Sequence, residues 1–177
     1  MDLLCARYES PAGGLVIGSL GERVCLCDWC CNRYLDSNMR RIEEKAGCRF
    51  HYGESSVIRR AMEELEEYFA GRRSGFSTPL LPIGTDFQMR VWQELQDIPY
   101  GATISYAELA RRVGNEKAVR AVAGANSRNC ISILIPCHRV IASDGGVGGY
   151  AGGVEAKGLL LALEKMATDK NRCVMKT

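Results

Sequence analysis

Between Gly71 and Gly84 the chain carries Pro79 and Pro82 among the small polar residues Ser74, Ser77 and Thr78. Proline offers no backbone N–H and bars the residue before it from helical geometry, so neither a helix nor a central strand can run through this stretch. Any fold must be built from the residues on its two sides. The sequence accordingly divides into residues 1–82 and residues 83–177, two small domains. With 177 residues, 46% of them hydrophobic, the chain can bury a real core, which argues against disorder. The two parts differ in charge: 11 Lys/Arg against 12 Asp/Glu before the break, and 12 against 9 after it.

The first part opens as short strands. Ser10 to Gly14 is a turn, and the apolar-rich runs Leu15 to Leu20 and Arg23 to Trp29 are joined by Gly21-Glu22, the pattern of a β-hairpin. From Val57 to Gly71, Val57, Ile58, Ala61, Met62, Leu65, Tyr68 and Phe69 recur at helical spacing, with Arg59, Arg60, Glu63, Glu64, Glu66 and Glu67 mostly opposite. That period predicts an amphipathic helix. After the break, Asp86 to Leu95 reads as a helix turning Phe87, Val91, Trp92 and Leu95 inward.

Ser105-Tyr106-Ala107-Glu108 has the form of a capping box, so a helix is expected from Tyr106 to Val113. Gly114-Asn115 breaks it, and Asn115 can cap a second helix from Glu116 to about Asn126. Helix, short Gly-containing turn and helix is the helix-turn-helix pattern, which also occurs in proteins that never touch DNA. On the second helix Ala118, Val119, Val122 and Ala125 can pack inward, while Arg120, Gly124 and Ser127 share another face, bare except for one long cation. Small residues admit a phosphate backbone or a narrow groove closely, and one protruding Arg can fill a vacated base position. Between Gly101 and Val140, Arg111, Arg112, Lys117, Arg120, Arg128 and Arg139 face only Glu108 and Glu116, a local excess suited to an anionic partner or to a solvated helix face.

Ile133-Leu134-Ile135-Pro136-Cys137-His138-Arg139-Val140 then reads as an apolar strand whose end delivers a thiol, an imidazole and a guanidinium. Cysteine attacks only as thiolate, and nearby positive charge or a positioned base lowers its pKa. Cys137 is therefore either a nucleophile or one more buried small residue. The Gly-dense loop Ser143 to Gly153 surrounds one aromatic, Tyr150. It lacks the Lys of a phosphate loop, which excludes nucleotide binding of that kind, and it could wrap a flat ligand or be a plain turn. A last helix, Glu155 to Lys165, carries Glu164, and Met166 to Thr177 reads as a frayed tail.

Taken together, Pro136-Cys137-His138-Arg139, Ser105-Tyr106, Arg120-Ala121-Val122, Gly149-Tyr150 and the Lys157 to Glu164 helix resemble the O6-alkylguanine-DNA alkyltransferase family. The likeness covers roughly Ala61 to Lys165, including Leu65 to Gly71 and Phe87 with Val91-Trp92. It implies an α/β (α+β) fold: a ribonuclease H-like amino-terminal domain and a winged-helix-like, helix-turn-helix carboxy-terminal domain. Implied roles are Cys137 as acceptor thiolate, His138 as base through a water, Glu164 as its orienter and Tyr106 as donor to the departing guanine. Asn129 would tie the recognition helix to the Cys segment. Arg120, Ala121, Gly124, Ser127, Arg128 and Tyr106 would meet DNA, and Gly149, Tyr150 and Ala151 would wall the pocket. The implied activity is single-turnover transfer from flipped O6-methylguanine in duplex DNA by a monomer, without cofactor.

Some relatives hold a structural zinc. Here Cys25, Cys27, Cys30 and Cys31 lack a standard zinc spacing and His51 is the sole His outside the active segment, so no metal is expected. The nine cysteines and the absence of a signal-like or membrane-length apolar run point to free thiols in a soluble, cytoplasmic protein. A non-catalytic lesion sensor of the alkyltransferase-like group would lack the acceptor Cys. A cysteine hydrolase would need a His opposed to the thiol from elsewhere in the fold.

Overall fold

The computed structural model describes residues 2–174, with side chains through residue 170. Strands β1 (Leu3–Ser10), β2 (Gly13–Leu20) and β3 (Arg23–Trp29) form an antiparallel meander. Its second turn is the expected hairpin, with Gly21 at φ 58°, a conformation glycine adopts freely. Helix α1 (Leu35–Ala46) comes next, and the two-residue strand β4 (His51–Tyr52) joins β1 in parallel, giving the order β3-β2-β1-β4. Leu15 and Ile17 point into the core from β2, and β3 is buried from Val24 through Trp29.

Helix α1 is an addition to the elements expected from sequence, although Leu35, Met39, Ile42 and Ala46 lie at helical spacing. Its start has no side-chain cap, and it ends at Gly47 in the left-handed region. What pins it is Asp28, a buried carboxylate on β3 that accepts from Asn32 Nδ2 at 2.9 Å and from Asn38 Nδ2 at 2.8 Å. Ser55 caps α2 (Ser56–Phe69), which covers the sheet with Val57, Ile58, Ala61, Leu65 and Tyr68.

The Pro-containing stretch is an ordered strap rather than a loose connection. Val24 N donates to Pro79 O at 2.9 Å and Leu81 N to Val24 O at 2.7 Å, so it runs along β3. Glu64 on α2, expected on the polar side, is instead buried under the strap, where it accepts from both backbone and hydroxyl of Thr78 and Ser77. Burial pushes this carboxyl up, but those hydrogen bonds outweigh it and hold the pKa at about 2.

Beyond the strap, Thr85 and Gln88 form a reciprocal capping box at the start of α3 (Asp86–Gln96). Ser105, at the end of β5 (Ile104–Ser105), caps α4 (Tyr106–Arg112) by accepting from Glu108 N. The box expected there is only half made, because the Glu108 carboxylate turns to Arg111 and Arg112. Helix α5 (Val119–Ser127) begins three residues later than expected. Asn115 caps no helix; its Oδ1 accepts from Lys117 N in a local turn. The chain ends in β6 (Val140–Ile141), parallel to β5, and in α6 (Val154–Val174). That helix runs through most of the stretch expected to be a frayed tail; 175–177 and the Cys173 side chain lie outside the described residues.

Buried side chains from both halves form one contiguous core. Trp92 of α3 donates to Ala125 O of α5 at 2.9 Å, fixing α5 to α3. Across the halves, Cys27 N donates to Cys130 O at 2.8 Å and Ser132 N to Cys27 O at 2.7 Å, so the segment before Cys137 extends the edge of β3. Of the Cys cluster, Cys25 and Cys27 are core residues and Cys31 is exposed, and among the described residues no three His, Cys, Asp or Glu converge to hold a metal ion. Among them, too, no helix is long and apolar enough to cross a membrane.

Candidate active site

From Asn129 to Val140 every residue is buried, and the course of this segment differs from the strand end expected. Leu134 N donates to Ser132 O at 2.9 Å around Ile133, whose φ is 73°. This is the strained, positive-φ γ-turn, unusual for a β-branched residue. A second tight turn comes next, in which Cys137 N donates to Ile135 O at 2.8 Å around Pro136 at φ −81°, ψ 63°. Cys137–Arg139 then forms one turn of 3-10 helix. Two reversals in six residues carry the thiol from the sheet edge into the carboxy-terminal half.

Asn129 holds this course. Its Nδ2 donates to Ile135 O at 2.9 Å and its Oδ1 accepts from Ile131 N at 3.0 Å, satisfying two buried backbone groups. The same side chain, with Lys157, opposes the effect of burial, which raises the Cys137 pKa. Lys157 on α6 is itself buried, with Nζ 2.6 Å from Val140 O.

Glu164 is the hub of the site. Though only 1% exposed, it accepts from Tyr68 Oη at 2.7 Å, Gly101 N at 3.1 Å, and Arg139 Nε and Nη2 at 2.9 and 3.0 Å. Its Oε1 also lies 2.7 Å from His138 Nε2. Burial pushes the carboxyl up, and His138 and Arg139 hold it down at about 2. A carboxylate can only accept, so Nε2 carries the imidazole proton and Nδ1 is left as the lone-pair nitrogen. Nδ1 is buried and has no partner. Burial lowers the His138 pKa despite the opposing pull of Glu164, which favours the uncharged ring.

Tyr106, at the start of α4, has a pKa raised by burial and by the Cys137 charge, with Asn126 lowering it. Tyr150 packs edge-on to Trp29 with centroids 5.9 Å apart. A cavity of about 540 Å³ opens between Gly149, Tyr150, Ala151, Ser127 and the Cys31–Tyr34 loop. On α5, Arg120, Ala121, Gly124 and Ser127 are all exposed, and a Cβ at Gly124 would meet nothing within 4 Å. Arg128 instead stacks on the Tyr34 ring, 4.0 Å from its centroid, and Arg139 leaves the positive surface altogether to pair with Glu164.

This arrangement places a buried thiol beside an imidazole with an unpartnered nitrogen, one loop away from an exposed small-faced helix. A family profile described as 6-O-methylguanine DNA methyltransferase, DNA binding domain, matches residues 86–166. The chain is 52% identical over 160 residues to a methylated-DNA-protein-cysteine methyltransferase of Methanosarcina acetivorans, covering 90% of this chain and 96% of that one. The chain belongs to the methylated-DNA-protein-cysteine methyltransferase family. The constitutive methyltransferase of this name from Bacillus subtilis is 41% identical, with 90% and 93% of the two chains covered. Among solved structures, the Mycobacterium tuberculosis O6-methylguanine methyltransferase is similar at a TM-score of 0.78 and 37% identity, covering 94% of this chain and 93% of that one. The M. tuberculosis OGT in complex with DNA reaches 0.82 at 36% identity, covering 93% and 94%.

Several residues packed around Cys137 and Glu164 escape sequence reasoning. In sequence Arg139 reads as positive charge beside the thiol and on a basic surface, Tyr68 as ordinary core, Lys157 as the start of the family-like helix and Asn126 only as a helix end. The one available signal is charge on an apolar stripe, since Lys157 and Glu164 are seven residues apart and share a face of α6.

Proposed function

We propose that the chain repairs DNA by transferring the alkyl group of O6-methylguanine to Cys137, irreversibly and once per molecule. The observation that carries this reading is the unpartnered His138 Nδ1, buried one residue from the thiol, with its opposite nitrogen held by Glu164. The thiol proton passes through a water to Nδ1, and the Cys137 sulfur attacks the alkyl carbon in line. A C–S bond forms, the C–O bond breaks, and its electron pair leaves on the guanine oxygen. Tyr106 donates to the departing base so that it leaves neutral. The displacement is complete with these groups and calls on no metal or organic cofactor.

A base inside a duplex cannot reach a buried thiol, so the nucleotide is flipped, with Arg120 filling its place in the stack. Exposed Ala121, Gly124 and Ser127 let α5 lie against the duplex, Arg128 supports its end, and Gly149, Tyr150 and Ala151 wall the pocket. Asn129 keeps α5 and Cys137 in register. In this reading residues 1–82 are the ribonuclease H-like domain, residues 83–177 the winged-helix-like domain, and one monomer acts on duplex DNA. The retained Cys137 disfavours a non-catalytic sensor. The test is to incubate the protein with methylated duplex DNA and examine the Cys137 peptide by mass spectrometry. One methyl per molecule is expected; an unmodified Cys137 overturns the reading.

A further inference from the structure

Oε1 of Glu164 is crowded. It accepts from Tyr68 Oη at 2.7 Å and from Arg139 Nη2 at 3.0 Å, and it lies 2.7 Å from His138 Nε2. Gly101 N and Arg139 Nε take Oε2. A carboxylate offers about four lone-pair sites over its two oxygens, so the donors gathered on Oε1 compete for the same charge. Tyr68 reaches this atom from α2, in the first half of the chain. Its ring is fully buried and held by Phe69 and Phe76, with centroids at 5.4 Å, and edge-on by Tyr100 at 6.1 Å. Packing of that kind would be served by a phenylalanine. The hydroxyl has a partner of its own in Glu164.

A hydrogen bond donated to a carboxylate steadies its ionised form and draws part of its charge toward the donor. In the proposed reaction His138 begins uncharged, accepts the thiol proton and ends as imidazolium beside Glu164. We infer that Tyr68 is a positioning residue for the alkyl transfer, acting through Glu164: its hydroxyl fixes the rotation of the carboxylate and shares the oxygen that holds His138, so the imidazole stays an uncharged base until the thiol proton arrives. The groups facing the carboxylate are Tyr68 on α2, Tyr100 and Gly101 ahead of β5, and His138 and Arg139 on the 3-10 turn. Arg139 and Lys157 of α6 oppose a positive charge on His138, and Glu164 favours one. Tyr68 therefore acts on the one group that pulls the imidazole toward its charged form.

The inference rests on the proposed transfer to Cys137, and its test reads His138 directly. The chain has two histidines, and His51 is exposed on β4, so the second imidazole resonance is an internal reference. NMR titration of the full chain is run for the wild type, Tyr68→Phe and Tyr100→Phe. In Tyr68→Phe the ring packing stays while Glu164 acts on the imidazole undivided. The His138 midpoint should rise by about half to one pH unit, with His51 unmoved. Single-turnover methyl transfer from duplex O6-methylguanine should lose rate on the acid side at a correspondingly higher pH, because an imidazolium cannot take the thiol proton. Tyr100→Phe is the matched control: its hydroxyl is buried without a partner, so its loss should leave the midpoint in place. A midpoint does not depend on how much of a preparation is folded, so partial misfolding does not mimic the shift. A His138 resonance that behaves alike in the wild type and Tyr68→Phe, that moves down, or that shifts equally in Tyr100→Phe overturns the role of Tyr68. Absence of methyl on Cys137 in the wild type overturns the transfer itself.

Discussion

His138 Nε2 and Glu164 Oε1 lie 2.7 Å apart, with the imidazole 0% and the carboxylate 1% exposed. Glu164 simultaneously neutralises the buried Arg139. Replacing it as Glu164→Gln leaves that guanidinium without its counter-charge, and losing one partner of a buried pair costs about 3 kcal/mol or more. Urea denaturation at pH 7 should show a loss of that size, with single-turnover transfer slowed about 100-fold as the imidazole loses its orienter.

The same carboxylate governs part of the acid response. Its folded pKa is about 2, depressed from about 4.3 in an unfolded chain. Its contribution is therefore complete above about pH 4.3 and is lost as pH falls through about 2. Glu64, also at about 2, titrates in the same window. Stability measured across it should thus fall with a slope about one proton shallower in Glu164→Gln than in the wild type, rather than vanish. Equal slopes would show that Glu164 is not the ionised hub.

Asn129→Ala strips partners from the Ile135 carbonyl and the Ile131 N–H, both buried. The Ile135 carbonyl keeps the Cys137 N–H as a donor, so only the Ile131 N–H is orphaned, at a cost of about 1–3 kcal/mol. Thermal or urea melting should register a loss of that size, and a loss below about 0.5 kcal/mol would contradict the bracing role.

Lys157→Met removes a buried ammonium that lowers the Cys137 pKa against burial. The thiol pKa should rise further, so the rate of Cys137 modification by a small alkylating reagent shifts to higher pH, by about one unit for each 1.4 kcal/mol of lost charge stabilisation. An unshifted pH profile would remove Lys157 from the thiol's environment.

Arg120→Ala touches an exposed side chain, so stability should change by less than about 0.5 kcal/mol. Transfer from duplex O6-methylguanine should slow at least tenfold, while transfer from the free base is unchanged. Equal slowing of both reactions would argue against a role in flipping.

Local rules make much of the architecture legible from sequence. The β2–β3 hairpin, α2, α3 and α4 follow from period, turn glycines and Ser105, because neighbours in sequence determine them. Cys137 and His138 stand out in sequence as a thiol beside an imidazole, and the roles expected of them, of Tyr106 and of Glu164 come from family likeness. Tertiary structure alone decided the partners. Tyr68 and Glu164 are 96 residues apart, and periodicity says which face of a helix turns inward, never what it will meet there. The strap at Pro79, the α1 clamp on Asp28 and the two tight turns before Cys137 are likewise long-range or strained arrangements that no local pattern encodes. Burial then assigned the charges. Arg139, counted in sequence with Arg120 in one local excess of positive charge, lost its water and had to pair with the carboxylate that also contacts His138.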